Sequence, residues 1–458
     1  MSVAAQTASA VVRAAFIGLA AVVISGWLAR ALGGLRGRTR NVAWALLLAP
    51  FLTPSLLISY AFSRLAVALL VSSPWSHLAL YGAALLLKLV PVAVVVRALM
   101  PSPLSDEARH CHRLLAESSP FETMMFRLRG AGPAPWFAGG IVFLIAFADF
   151  ELASLWSIKT WTVVLFDAQA GGLNLRESLS LAAWPLGIQI AVLALLASFR
   201  RRSRSANVCV SKCGRAVFGY LAVVAFCVCG LPLLIVTAQA ISGFRAVLEN
   251  FVLGNEIIAS VLFALGAAAV SFQGISKLTD RRNTTRHRTK VREGGTRVLP
   301  GVPGLLGALI VALIVLALFQ TPLLRPLYDT PLPLLLALTI LLLPLALVLG
   351  ALLRMGHMSP MRHIARQLRS RRLAWELEHR PRLAAFALLF CWAYFDFTAS
   401  SILAPVGMTP VFVRLHNLAH YGQTAVLSAM MLAAFATPVA LLLLTLTAGR
   451  IYARRDGR

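Results

Sequence analysis

Charge is what this sequence has least of. Asp, Glu, Lys and Arg together make up 13% of its 458 residues, and only 17 of these are acidic against 43 basic. A soluble domain keeps about a quarter of its residues charged, so the shortage excludes an ordinary water-soluble fold. Cysteine is scarce too. The six present (Cys111, Cys209, Cys213, Cys227, Cys229 and Cys391) fall in predicted cytosolic loops or inside apolar runs, which excludes a disulfide framework. Nothing fits Gly-x-x-x-x-Gly-Lys-[Ser/Thr], so any ATPase that drives this chain is a separate subunit. Gly-x-Ser-x-Gly and His-Glu-x-x-His are also missing, so no enzyme activity is expected. Residues 1–12 lack a basic n-region, and no cleavable signal is expected there.

Apolar sequence is what abounds: 59% of residues are hydrophobic, and the mean hydropathy is +0.79. A helix needs roughly 20 mostly apolar residues to cross a bilayer. Runs of that kind recur along the whole chain, and backbone polarity in lipid is satisfied by helix formation. The expected fold is therefore an all-α polytopic membrane bundle of about eleven transmembrane helices. Their limits read 14–32, 42–62, 77–99, 136–157, 177–199, 216–240, 256–273, 303–321, 331–353, 383–404 and 424–448. Pro50, Pro54, Pro91 and Pro344 lie within these runs, as membrane helices allow.

The net charge of +26 is confined to alternate connections. One set carries Arg36, Arg38 and Arg40, then Arg109, Arg113, Arg127 and Arg129, then Arg200–Arg202, Arg204, Lys212 and Arg215. It continues through 277–297, 362–382 and the tail from Arg450 to Arg458. The other set, on the outside, holds only scattered residues: Arg13, Arg64, Lys159, Arg176, Arg245, Arg325 and Arg414. By the positive-inside rule the first set is cytoplasmic, which puts the N terminus outside and the C terminus inside. The same distribution argues for loops at a membrane surface and against a nucleic-acid groove. The basic loop 274–302 reads as a connector, or as a site for a partner or anionic lipid headgroups.

The two halves resemble each other. Phe147, Asp149, Phe150, Ala153 and Ser154 in the fourth run match Tyr394, Asp396, Phe397, Ser400 and Ser401 in the tenth. Each set follows a cytosolic loop ending in Pro (Pro133 or Pro135; Pro381), and the first and seventh runs carry Gly26 and Gly266. Both pre-Asp loops are cytoplasmic, so the repeat is parallel, with five and six of the about eleven helices in halves 1–205 and 206–458. Ionisable groups near the bilayer centre are costly and belong to a pathway or to helix pairing. Asp149, Glu151, Asp396 and Lys88 are the candidates, either as a cation pathway or gate or as an Asp–Lys88 pair that fixes packing. No metal site is expected. Cys209 and Cys213 lack a second pair, Glu107 with His110, Cys111 and His112 places adjacent ligands on different helix faces, and His416 and His420 are flanked by loop sequence.

At this point the residues resemble the permease subunits of binding-protein-dependent ABC importers of bacterial inner membranes, in particular fused two-half permeases of the ferric iron, thiamine and polyamine groups. The resemblance lies in Asp106, Glu107 and Ala108, then Glu117, Ser118, Ser119 and Pro120, then the Asp149–Phe150 element. In the second half it lies in the run from Asp396 through Pro405, Gly407 and Thr409, followed by Arg414, His416, Asn417 and Gly422. Ala365 stands at the end of the second half's coupling signature and Ser370 where that signature has Gly. The resemblance implies docking of cytosolic ABC ATPase subunits on loops 105–132 and 357–382, through Glu107, Ala108, Glu117, Ser118, Ser119, Ala365 and Ser370. It also implies an extracytoplasmic solute-binding protein, an iron-type cation or small organic solute, membrane lipid around the bundle, and no cofactor in this chain, ATP being bound by the partner. Two other readings stay open: an ion-coupled secondary transporter using Asp149 and Asp396, and a non-transporting membrane scaffold.

Overall fold

The computed structural model describes residues 3–100, 111, 114, 132–172, 174–198, 215–245, 247, 253–285, 303–357, 375–419 and 425–454. Regular structure among them is helical throughout, without a strand. Eight helices are long and apolar enough to cross a membrane, and the chain is a multi-pass membrane protein. It divides into two compact units, Met1–Ile235 and Val236–Arg458.

The first unit contains α1 (Val3–Gly33), α2 (Gly37–Leu52), α3 (Ser55–Ser72), α4 (Pro74–Leu99), α5 (Ala134–Phe147), α6 (Glu151–Leu155), α7 (Trp161–Ala170) and α8 (Leu175–Ser198). Helix α9 (Arg215–Ala240), with one π turn at Phe226–Gly230, follows. Helices α1, α4 and α5 pack on one another, α3 lies against α4 and α6, and α8 covers α5 and α7. Small residues let the backbones meet: a Cβ on Gly18 of α1 would come within 3.0 Å of the Gly139 carbonyl of α5. Gly26 plays a different part. A Cβ there would meet Arg97 Nη1 at 2.9 Å, so the glycine admits a guanidinium that donates to the Val22 carbonyl at 2.8 Å. Helix α9 rests on α2, so the division between units falls within α9, further along the chain than the repeat boundary after residue 205.

The second unit contains a 3-10 turn (Pro303–Leu306) and the helices α10 (Gly254–Thr285), α11 (Ala308–Phe319), α12 (Leu332–His357), α13 (Arg380–Tyr394), α14 (Thr398–Leu403), α15 (Val411–Ala419) and α16 (Ala425–Arg454). Its internal packing repeats that of the first unit. Helix α10 packs on α12 and α13 as α1 packs on α4 and α5, and α11 lies on α12 and α14 as α3 lies on α4 and α6.

Four of the apolar runs expected as continuous spans are interrupted. The run 42–62 breaks at Thr53–Pro54, because proline supplies no N–H and holds Thr53 extended (ψ 124°). The run 136–157 breaks at Ala148–Phe150, between α5 and α6, and the run 383–404 at Phe395–Phe397, between α13 and α14. The run 303–321 breaks at Gly307, between the 3-10 turn and α11, where a φ of +86° suits glycine. Each unit therefore sets a helix that begins at a break (α3 or α11) against the short helix beyond a second break (α6 or α14).

Candidate functional site

The breaks at Asp149 and Asp396 are built alike. Asp149 Oδ2 accepts the Ala153 N–H at 3.3 Å, and Asp396 Oδ2 accepts the Ser400 N–H at 3.1 Å. In each case a carboxylate satisfies the amide four residues on, one of the orphan donors that a helix start exposes. The Ser400 hydroxyl adds a second donor to Asp396 at 3.3 Å. Other freed backbone groups in the first unit are taken up by side chains. Trp161 Nε1 donates to the Phe147 carbonyl at 2.9 Å, and Thr162 Oγ1 to the Asp149 carbonyl at 2.7 Å. Trp156 Nε1, just past α6, donates to the Ser59 carbonyl at 3.0 Å and so ties α6 to α3. Helix α6 ends in a Schellman turn, with the Ile158 N–H on the Ala153 carbonyl at 2.9 Å and Ser157 left-handed at φ 55°. An irregular backbone at membrane depth persists only when protein groups satisfy it in this way.

Around Asp149 the first unit gathers charged and polar side chains from separate helices. The Tyr81 hydroxyl of α4 donates to Asp149 Oδ2 at 2.9 Å. Arg13 of α1 sits over the Tyr81 ring, 5.0 Å from its centroid. Lys88, two turns along α4 from Tyr81, lies within electrostatic range of Asp149 and Glu151. Its ammonium donates to Ser55 Oγ at the start of α3. Lys88 and Asp149 thus face each other at electrostatic range, while Tyr81 hydrogen-bonds Asp149 and Lys88 hydrogen-bonds Ser55. Thr53, on the other flank of the α2–α3 break, donates to Cys229 Sγ of α9 at 2.8 Å.

The second unit differs in the helix that matches α4. Helix α12, which packs as α4 does, carries no charged residue from Leu332 to Leu353. The surroundings of Asp396 are aromatic: Phe397 lies 3.9 Å from the buried His416 ring, and Tyr394 packs edge-on to Phe412 at 5.6 Å.

Of the residues singled out from sequence, Lys88, Asp149 and Glu151 come together in the first unit, and Asp396 occupies the matching break of the second. The coupling-loop residues Glu107, Ala108, Glu117, Ser118, Ser119, Ala365 and Ser370 lie outside the described residues, as do Cys209, Cys213, His110, His112 and His420. Among the described residues no group of three or more His, Cys, Asp or Glu side chains could hold a metal ion. Sequence reasoning missed Arg13, Ser55 and Tyr81 as members of the cluster. Arg13 was placed in an outside loop, whereas α1 begins at Val3 and carries it within the helix. Nothing in the local sequence of Ser55 or Tyr81 marks them. No protein-family model, curated protein or solved structure matches this chain.

Proposed function

We propose that this chain is the membrane-spanning permease of an ATP-driven solute importer, a fused subunit in which both halves reside in one polypeptide. The observation that carries this reading is the duplicated plan: the same order of helices twice, each with an aspartate at an interrupted helix capping the amide four residues on. Duplicated bundles with discontinuous helices are a common transporter plan, and half-helices at membrane depth are typical where a solute is handled. With each interrupted run taken as one crossing, the chain makes about eleven crossings in two parallel repeats, N terminus outside and C terminus cytoplasmic. The membrane is the bacterial inner membrane. Because the chain has no nucleotide-binding loop, paired cytosolic ATPases bind loops 105–132 and 357–382, and an extracytoplasmic protein delivers the solute.

A second reading, an ion-coupled secondary transporter, is favoured by the Lys88, Asp149 and Glu151 cluster alone. Gentle purification of the tagged protein from its native membrane, with and without crosslinking, separates the two. A stoichiometric partner bearing a Gly-x-x-x-x-Gly-Lys-[Ser/Thr] loop is expected. Its repeated absence overturns the ATP-driven reading in favour of the ion-coupled one.

A further inference from the structure

Near the end of α1 two guanidiniums meet on its surface. Arg97, close to the end of α4, donates from Nη2 to the Val22 carbonyl at 2.8 Å and lies against Gly26. Arg30 folds back along α1, and its Nε donates to the Gly26 carbonyl at 2.9 Å. The two positive groups stand within electrostatic range of each other. Like charges so placed repel, and each is costly in an apolar bundle. Neither α1 nor α4 contains an Asp or Glu, and neither do α2, α5 and α9. Among the described residues Arg97 Nε is buried without a hydrogen-bond partner. The pair is thus a concentration of positive charge for which these helices supply no anion.

The surface beside the pair points to the kind of anion that fits. Val12, Phe16, Leu19, Val23 and Trp27 follow one another at three- and four-residue spacing along α1 and are all exposed. Arg30, exposed on the same face, comes next in that series. From Phe16 to Trp27 the helix rises about 16 Å, close to the depth of one leaflet of hydrocarbon. Trp27 packs edge-on against Tyr220 of α9 at 5.6 Å, in the manner of an aromatic anchored at the membrane–water interface. A free phosphate ion has no use for such a track, whereas a lipid fills the track and the charged end together. Arg36, Arg38 and Arg40 follow directly, and the positive-inside rule then places this end in the cytoplasmic leaflet, where anionic lipids reside.

We propose that Arg30 and Arg97 hold the phosphate of an anionic phospholipid whose acyl chains lie along Val23, Leu19 and Phe16 of α1. A planar guanidinium matches phosphate oxygens with two parallel N–H donors, and two of them facing one phosphate turn mutual repulsion into shared attraction. A zwitterionic lipid carries the same phosphate but brings its own cation to a site that is already doubly positive, so the site selects for net negative charge. Because Arg97 belongs to α4 and Arg30 to α1, the bound lipid also braces the packing of these two helices. The inference goes beyond the permease reading and requires only that α1 spans a membrane; it stands whether or not an ATPase partner is found.

The test is native mass spectrometry of the full chain, delipidated in a neutral detergent and titrated with dioleoylphosphatidylglycerol or dioleoylphosphatidylcholine. The first phosphatidylglycerol is expected to bind about ten-fold more tightly than phosphatidylcholine, and inorganic phosphate in large excess leaves it in place. Arg30→Gln weakens that binding by about five-fold, and Arg30→Gln with Arg97→Gln by about twenty-fold. Arg380→Gln, at an exposed position in the second unit, keeps it within about two-fold. The proposal is overturned if the two lipids bind alike, if the double variant binds phosphatidylglycerol as the parent does, or if Arg380→Gln loses as much as the double variant. Displacement of the lipid by inorganic phosphate also overturns it, by making the ligand a free ion. Should the double variant fail to fold, Arg30→Gln decides, because its side chain is exposed: unchanged phosphatidylglycerol binding there rejects the site.

Discussion

The Tyr81 hydroxyl donates to Asp149 Oδ2 across 2.9 Å, joining the wall of α4 to the point where the α5 helix is interrupted. Tyr81 is fully buried, and the same carboxylate oxygen also receives the Ala153 N–H, so one acidic side chain both starts α6 and anchors it to a neighbouring helix. A buried hydrogen bond to a charged group contributes about 1.5–3 kcal/mol. Tyr81→Phe keeps the ring and removes only the donor. Its melting temperature in detergent is expected to fall by an amount corresponding to about 2 kcal/mol, and an unchanged melt would show that Asp149 needs no partner from α4.

Gly26 and Gly82 offer a paired test of close packing. Gly82 has open space around it, so Gly82→Ala removes chain entropy from the unfolded state and stabilises α4 by about 0.5–1 kcal/mol. Gly26→Leu drives side-chain atoms into the Arg97 guanidinium and its bond to the Val22 carbonyl. The expected loss is about 1–3 kcal/mol. Thermal melts of both variants against the parent protein should move in opposite directions.

Ser157 is the non-glycine residue with positive φ among the described residues, and its left-handed conformation closes the Schellman turn of α6. Left-handed backbone costs an L-residue about 1–2 kcal/mol. Ser157→Gly is therefore expected to raise the melting temperature, and Ser157→Val to lower it. Equal melts for the two would mean that the turn is not held in this conformation in the membrane.

The two aspartates should respond unequally to loss of charge. An asparagine oxygen still accepts the capping N–H, so Asp396→Asn is expected to change uptake by less than about two-fold. Asp149→Asn leaves Lys88 and Arg13 facing one carboxylate fewer, and uptake of the native solute is expected to fall by about ten-fold or more. Equal losses in the two variants would place the functional weight on the capping geometry that the units share.

Removing the caps of the α5–α6 break should loosen it locally. Thr162→Val and Trp161→Phe delete donors to the Asp149 and Phe147 carbonyls. Each leaves a buried carbonyl short of a partner, at about 1–3 kcal/mol. Hydrogen exchange is expected to quicken at residues 150–154 while α1 stays protected. Uniform exchange across the unit would indicate global destabilisation instead.

Composition and hydropathy by themselves determined that this is an all-helical, multi-pass membrane protein, because long apolar runs with few charges have no other stable form in lipid. The sequence also disclosed the twin elements at Asp149 and Asp396, since a short pattern of aromatic, acidic and small residues survives in both halves. It could not disclose that those aspartates interrupt their helices. Hydropathy is continuous through Ala148–Phe150 and Phe395–Phe397, and a break is tolerable only if distant groups take up the freed backbone bonds. Those groups are the side chains of Trp161 and Thr162 on α7. The partner of Lys88 was equally hidden. Sequence offers the carboxylates as its natural match, and only the packing of α3 against α4 decided that the ammonium also bonds Ser55. Local chemistry chose the helices and their charged residues; contacts between residues far apart in the chain chose where the helices stop and which charges meet.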